Sequence, residues 1–351
     1  MSFKISKKRI IEDKDPPYLI AEIGSNHNGD MDLCRKIIDS AKTAGADCVK
    51  FQFFSSNSIF SKKVYEDNYF IADDYRNRTD YTLKEIVEAY SIKKNQLIEM
   101  KSYSKKLGLD FLVTPFSKEE ADILVNEIGV DFIKIASMDC NNYDFIEYIG
   151  KKNLPTILST GLCDLDEINK AVKAFEKSGN KDLILLHCVS IYPPKDKETN
   201  LHRIKTLKDL YGYPVGFSDH SKGAELPIAS VALGVKVIEK HFTTDKKMKG
   251  WDHHMSIDAE DLSLISKGTK RVFEALGSSK IFRVESKERV DSFRRSVVAR
   301  VNIQKEQIIT EEMLDVKRPG TGLPPDQLKN IVGKKAKRNI SQDELLKKGD
   351  F

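Results

Sequence analysis

Short apolar runs and amphipathic stretches alternate along most of this chain. The apolar runs lie at 19–24, 48–54, 110–116, 132–137, 156–161, 183–190, 215–220 and 237–242. Near-continuous apolar runs of this length suit strands covered on both faces, as in a parallel sheet. Between the first two, 32–44 sets Leu33, Ile37, Ile38 and Ala41 at helical spacing. It stops at Gly45, where a left-handed cap costs glycine little. The stretches 83–107, 118–128 and 225–233 predict helices that stop in the same way at Gly108, Gly129 and Gly234. Strand then helix, repeated eight times over about 250 residues, is the pattern of a (β/α)8 TIM barrel.

The polar residues of these runs sharpen that picture. Glu22, Lys50, Gln52, Thr114, Lys134, Ser137, Ser159, Ser190, Ser218, His220, Glu239 and His241 fall in the second half of a run or at its end. In such a barrel the C-terminal strand ends carry the chemistry. The rhythm stops after Leu276, and 277–288 reads as a polar linker. The remainder, which includes RPGTGLPP, reads as a small turn-rich module. The expected division is a barrel over 1–280, a linker over 281–290 and the small module over 291–351. The connection 55–81 is longer than compact domains ordinarily use, and it suits either a lid over the mouth or a plain insertion.

Composition narrows the class. A chain of 351 residues, 40% hydrophobic and 32% charged, supports a full core and fits two domains. A net charge of +5 over that length does not imply nucleic acid as a partner. No run approaches the roughly 18 apolar residues of a membrane span. The opening MSFKISKKRIIEDKD lacks the apolar core of a secretory signal. Five cysteines, Cys34, Cys48, Cys140, Cys163 and Cys188, form no CxxC pair and argue against a disulfide framework or zinc knuckle. A cytoplasmic enzyme is expected. GxxxxGK[ST] and GxGxxG are both absent, so no nucleotide fold is suggested.

A lysine on a buried strand is costly without an anionic partner. Lys50 and Lys134 at one mouth favour an anionic ligand, phosphate or carboxylate. Thr114, Ser137, Ser159 and Ser218 would be neutral donors around it. A lone histidine is ordinarily a core residue, but His220 and His241 end neighbouring strands and can converge on one metal. Two nitrogens with no thiolate nearby suit a hexacoordinate ion such as Mn²⁺ better than closed tetrahedral zinc. His187 reads as structural. His253 and His254 either reach the mouth or sit in a solvated loop. Glu22 either moves protons or pairs with Lys50.

The segments AEIGSNHNGD, AGADCVKFQFF, TPFS, FIKIAS, ILSTGL, LLHCVSIYPP, GFSDHSKG, ALGVKVIEKHF and KRPGTGL occur in this order across the chain. Together they resemble the sialic acid synthase family. That resemblance implies a TIM barrel followed by a small antifreeze-like SAF domain of β-clip type. It also implies a domain-swapped homodimer with no nucleic-acid or membrane partner. The implied reaction condenses phosphoenolpyruvate with an open-chain N-acylated hexosamine to a nine-carbon 2-keto acid plus phosphate. The sugar would be N-acetylmannosamine, its 6-phosphate, or a 2,4-diacetamido-2,4,6-trideoxyhexose leading to legionaminic or pseudaminic acid. A divalent metal between His220 and His241 is implied, usually Mn²⁺, with Mg²⁺ or Co²⁺ as alternatives.

By the same resemblance, Lys50, Thr114, Lys134, Ser137, Ser159 and Ser218 hold phosphoenolpyruvate, with Ser190 contributing. Glu22, Gln52, Tyr192 and Asp252 match positions that handle the sugar or its protons, and Glu239 matches a sugar-side or supporting carboxylate. Glu22, Lys50, Lys134 and Asp139 are expected among the catalytic groups. Arg318 matches an arginine that reaches the partner subunit's sugar. The chain departs from the commonest family pattern at Ser137-Met138-Asp139, at Ser190, and at Gly250-Trp251-Asp252-His253.

Overall fold

Successive residues of a strand face opposite ways, and the strands of this chain bury both faces. The computed structural model describes residues 2–6, 9–68 and 82–351. Eight parallel strands follow the eight apolar runs: β1 (Tyr18–Gly24), β2 (Cys48–Phe53), β3 (Asp110–Pro115), β4 (Ile133–Ile135), β5 (Thr156–Ser159), β6 (Leu183–Cys188), β7 (Val215–Asp219) and β8 (Val237–His241). Their hydrogen-bonded order is β3-β2-β1-β8-β7-β6-β5-β4, and β3 lies against β4 at the seam, so the sheet curls into a nearly closed barrel. The TIM-barrel expectation holds.

One parity of each strand faces outward. Leu19, Ala21, Val49, Phe51, Val113, Leu185, Phe217 and Ile238 pack there in a continuous apolar shell with the surrounding helices. The other parity fills the barrel. Tyr18, Ile20, Cys48, Leu112, Phe132, Ile157, Ile184, Leu186 and Val237 form that inner core. A short hairpin, Ser2–Lys4 against Ile10–Glu12, adds Ile5 and Ile11 to it and plugs the N-terminal end. The sequence pattern predicts no element in this segment. Its apolar residues, Phe3, Ile5, Ile10 and Ile11, are too few for a periodicity to register.

Helix Met31–Ala44 begins where the Asp30 side chain accepts from the backbone N–H groups of Asp32 and Leu33, and it ends at Gly45 with φ 95°. The expected single helix over 83–107 is two, Leu83–Tyr90 and Lys94–Lys106. Ser91 is extended, Ile92 is buried, and the Gln96 side chain accepts from the Lys93 N–H at 2.8 Å to start the second helix. Of the long connection 55–81, residues 69–81 lie outside the described residues, and with them much of the lid expectation. The described part contains Lys62–Glu66, and Ile59, Phe60, Val64 and Tyr65 pack with Phe54, Phe116 and Trp251.

The chain divides into two compact units between Gly277 and Ser278. Helix Lys287–Phe293 occupies the end of the stretch expected as a linker. The second unit pairs β9 (Ser296–Ala299) with β10 (Leu314–Lys317) around Val297, Ile303, Ile309, Ile331, Ile340 and Leu346. Arg338 ties its C-terminal end to Asp350 and Glu344 at 2.8 and 2.7 Å. Among the described residues no helix is long and apolar enough to cross a membrane.

Candidate active site

The inward parity of the strands changes from apolar to polar toward their C-terminal ends, with β6 ending on Cys188. Register then decides who meets whom. Glu22 pairs with Lys50 across β1 and β2, Gln52 with Thr114 across β2 and β3, and Glu239 with Ser218 across β8 and β7. The result is a cavity of ≈ 240 Å³ lined by Glu22, Lys50, Gln52, Thr114, Lys134, Ser137, Ser159, Ser190, Tyr192, Ser218, His220, Glu239 and His241.

Charge is concentrated on its floor. Lys50 Nζ lies 2.6 Å from Glu22 Oε2 and 3.4 Å from Glu239 Oε1. Lys134 Nζ donates to Ser159 Oγ at 2.6 Å and to the Ile135 carbonyl at 3.1 Å, with Glu239 Oε1 at 3.9 Å. Burial works against the Lys50 ammonium, but Glu22 and Glu239 outweigh it and raise its pKa. For Lys134 burial wins, and its pKa is lowered. Glu239 is likewise opposed by burial, yet Lys134 and Lys50 hold its carboxyl below the usual range. Two buried oxygens at this cavity, Thr114 Oγ1 and Glu239 Oε2, have no hydrogen-bond partner. Buried polar atoms ordinarily do, so these point to a ligand.

The rim beside Glu22 is acid and amide. Gln52 Nε2 donates to Glu22 Oε1 at 2.9 Å. Gly24 stands at φ 53°, and a Cβ there would lie 3.1 Å from Asp252 Oδ2, 3.3 Å from Glu22 Oε1 and 3.4 Å from Gln52 Nε2. Three polar side chains therefore converge on a glycine. Across the mouth, a Cβ on Gly161 would meet the hydroxyls of Ser190 and Ser137 at 2.6 and 2.7 Å.

The two histidines face each other, ring centroids 5.5 Å apart, with the Tyr192 ring 4.3 Å from His220. His220 Nδ1 is anchored on the Val189 carbonyl at 2.9 Å, which leaves Nε2 as the ring's other donor atom. His241 Nδ1 is buried with no hydrogen-bond partner, 3.7 Å from Asp252 Oδ2. Burial, with His220 and Lys50 nearby, holds His241 well below the usual imidazole pKa, so it stays neutral.

Residues 37–281 match the NeuB family and residues 294–351 the SAF domain. This chain belongs to the NeuB family. A protein named N,N'-diacetyllegionaminic acid synthase from Campylobacter jejuni is 37% identical over 94% of this chain and 98% of its own length. The human N-acetylneuraminate-9-phosphate synthase is 32% identical over 99% of this chain and 96% of its own. A solved N-acetylneuraminic acid (sialic acid) synthetase from Leptospira borgpetersenii, crystallised with citrate, superposes with a TM-score of 0.71 at 34% identity, covering 82% of this chain and 94% of that one.

In this NeuB chain two expected site residues of the barrel unit, Asp252 and Asp139, are not part of the cavity lining, and a third, Arg318, belongs to the second unit. Asp252 reaches the cavity from the side, as its approach to Gly24 and His241 shows. Asp139 closes the short turn Ser137–Asp139, and its Oδ1 accepts from Asn142 Nδ2 at 3.1 Å. Arg318 is exposed in the second unit, its guanidinium 5.0 Å from the Phe293 ring centroid. Glu22 does pair with Lys50. His187 is structural, stacked on Phe217 and bonded to the Thr199 carbonyl at 2.6 Å. His253 is not solvated: it is buried, with Nδ1 2.6 Å from Thr243 Oγ1 and Nε2 3.2 Å from Asn28 Oδ1.

One expectation is corrected. A thiol does lie near the histidines, because Cys188 lines the cavity with Sγ 3.9 Å from His220 Nδ1. Burial opposes its ionisation, but His220 prevails and its pKa falls to about 7. The inward parity of Ile184 and Leu186 continues to Cys188, and that alternation was the available signal. Phe116, Met138 and Leu162 also line the cavity unforeseen.

The NeuB donor set fits a divalent metal. His241 Nδ1 is an unpartnered buried donor, and His220 is oriented through its other nitrogen, the usual arrangement of a ligating histidine. Among the described residues no cluster of three or more His, Cys, Asp or Glu is assembled around one point. Such a site would leave coordination positions for water or substrate oxygens.

Proposed function

We propose that this chain condenses phosphoenolpyruvate with the open-chain form of an N-acylated hexosamine, giving a nine-carbon 2-keto acid and phosphate. The observation that carries this reading is a pair of buried lysines, Lys50 and Lys134, facing one small cavity with the unpartnered Thr114 hydroxyl. A compact polyanion answers both needs: it compensates the ammonium groups and fills the missing hydrogen bond. The hydroxyls of Ser137, Ser159, Ser190 and Ser218 complete the cradle.

In the reaction C3 of the enol attacks the sugar aldehyde, water adds at C2, and phosphate leaves with C–O cleavage. Lys134 and Lys50 fix the anionic groups so that C3 faces the rim. Glu22, joined to Gln52 there, is placed to hold a proton at the new hydroxyl or at the attacking water. A divalent ion held by His220 and His241, Mn²⁺ by preference, would act as a Lewis acid on the aldehyde oxygen. Asp139 stays a supporting candidate for positioning water. Burial raises its pKa.

The acceptor is read as unphosphorylated. Among the described residues lining the cavity, the only ammonium groups belong to Lys50 and Lys134 on the floor, and the rim offers Glu22 and Gln52. Within one chain's cavity a sugar 6-phosphate would meet acid rather than base, and Arg318 of the other chain would be the one cation brought to it. N-acetylmannosamine and the 2,4-diacetamido-2,4,6-trideoxyhexoses share the neutral character this favours. Purified protein incubated with phosphoenolpyruvate and each sugar in turn, with phosphate and product mass measured, tests the reading. Phosphate release with a nine-carbon product supports it. No product from any of these sugars overturns it, and turnover of only the 6-phosphate overturns the neutral acceptor.

The proposal includes a swapped homodimer in the cytoplasm, in which Arg318 of one chain serves the partner's mouth. Mixed dimers of Arg318→Ala and Lys134→Ala chains should regain part of the activity each lacks alone. Mixed dimers that form and stay inactive would place Arg318 with its own chain.

A further inference from the structure

The outward shell of the barrel is largely apolar, and its buried ion pair lies between β7 and β8. Asp219 and Lys240 continue the outward parity of Phe217 and Ile238, are 1% and 2% exposed, and form an ion pair through Asp219 Oδ2 and Lys240 Nζ. They sit opposite each other in the register, and theirs is the last rung of the β7–β8 ladder. His220 and His241 are the next residues on the two strands. Beyond that rung the backbone of His220 has no ladder bond to β8 among the strand pairings. The side chains supply the connection. Lys240 Nζ donates to the Ser221 carbonyl at 2.7 Å, and the Ser221 N–H donates to Asp219 Oδ1 at 2.8 Å. His220 is thus bracketed by a closed loop of bonds that starts and ends on the residue before His241.

We infer that the Asp219–Lys240 pair is a positioning device that sets the separation and direction of the two imidazoles across the barrel mouth. A buried ion pair is weak evidence for stability, since well-packed apolar side chains of similar volume commonly serve as well. Two leucine-like residues could not bond both the N–H and the carbonyl of Ser221. The geometric task therefore explains charges that the packing does not require. Residues supporting ligating side chains typically change metal affinity by about 10–100-fold when altered. The metal arm of this inference rests on the metal reading given above.

The test uses the full-length double variant Asp219→Leu/Lys240→Met, which removes both charges together and leaves no buried charge uncompensated. The smaller apolar pair Asp219→Val/Lys240→Leu, which likewise cannot bond Ser221, is the second variant should the first not fold. Folding is checked by circular dichroism and a thermal melt. Two readouts follow. Free Mn²⁺ is titrated by electron paramagnetic resonance, and the ring ¹⁵N resonances of His220 and His241 are followed in the metal-free protein. The expected result is a folded variant whose Mn²⁺ Kd rises about tenfold or more, with both ring signals shifted and the His253 signal unmoved. A Kd within twofold of the parent and unmoved rings overturn the inference and leave the pair a packing feature. If the parent itself binds no Mn²⁺, the metal reading fails on its own, and the ring resonances alone decide the positioning role.

Discussion

Lys134 and Lys240 are both buried lysines on barrel strands, and they face opposite sides of the same wall. Lys240 has a carboxylate and a carbonyl of its own, Asp219 and Ser221. Lys134 has one hydroxyl, one carbonyl, and a distant share of Glu239, whose nearer partner is Lys50. Outside, the charge is spent on structure. Inside, carboxylates are shared and the Thr114 hydroxyl is left without a partner, which suits a cavity that takes an anion. Burial alone does not separate a structural lysine from a binding one; the accounting of its partners does.

The strongest way to break this comparison is to empty the cavity side. Excess chelator should bring phosphate release to background, and Mn²⁺ should restore it best or nearly so. Full turnover with no metal retained by elemental analysis would sink the assignment of His220 and His241. Next in size is Lys240→Met, which strands Asp219 in an apolar shell. It should destabilise the barrel by about 3–5 kcal/mol, read as a lower denaturant midpoint. A midpoint equal to the parent's would mean Asp219 is not held as a buried charge.

Lys134→Ala should act the other way round, on function more than on fold. Truncating one partner of a buried charge contact costs about 2–5 kcal/mol, here expected in kcat/KM for phosphoenolpyruvate. If the sugar KM alone rises, the anion cradle is misplaced. The smallest effect sharpens the contrast most. Thr114→Val deletes a hydroxyl that has no partner in the protein, so stability should hold or rise. The KM for phosphoenolpyruvate should still climb severalfold, the worth of one hydrogen bond of about 1 kcal/mol. Lost stability with an unchanged KM would show that the hydroxyl serves the fold.

Much of this was legible in the chain. The eight runs, the glycine stops at Gly45 and Gly129, and the polar strand ends from Glu22 to His241 gave the barrel and its mouth, because period-two and helical spacings are local. Other features were not local. Nothing in 83–107 announces that buried Ile92 interrupts the helix. His253 reads as a loop residue until Asn28 and Thr243, far from it in the chain or across a turn, close around it. Cys188 reads as one more residue of an apolar run, and nothing in the chain itself sets Lys240 apart from Glu239 and His241.

Sequence by itself determined which residue types end each strand, since chemistry at a barrel mouth demands polar groups there and hydrophobic burial demands apolar ones elsewhere. Tertiary structure alone decided the partners. Whether Lys50 meets Glu22, whether Lys240 meets Asp219 rather than the cavity, and whether His220 faces His241 all depend on register and strand parity. A shift of one residue turns every side chain to the other face of the sheet, and that choice is made by long-range packing between strands far apart in the chain.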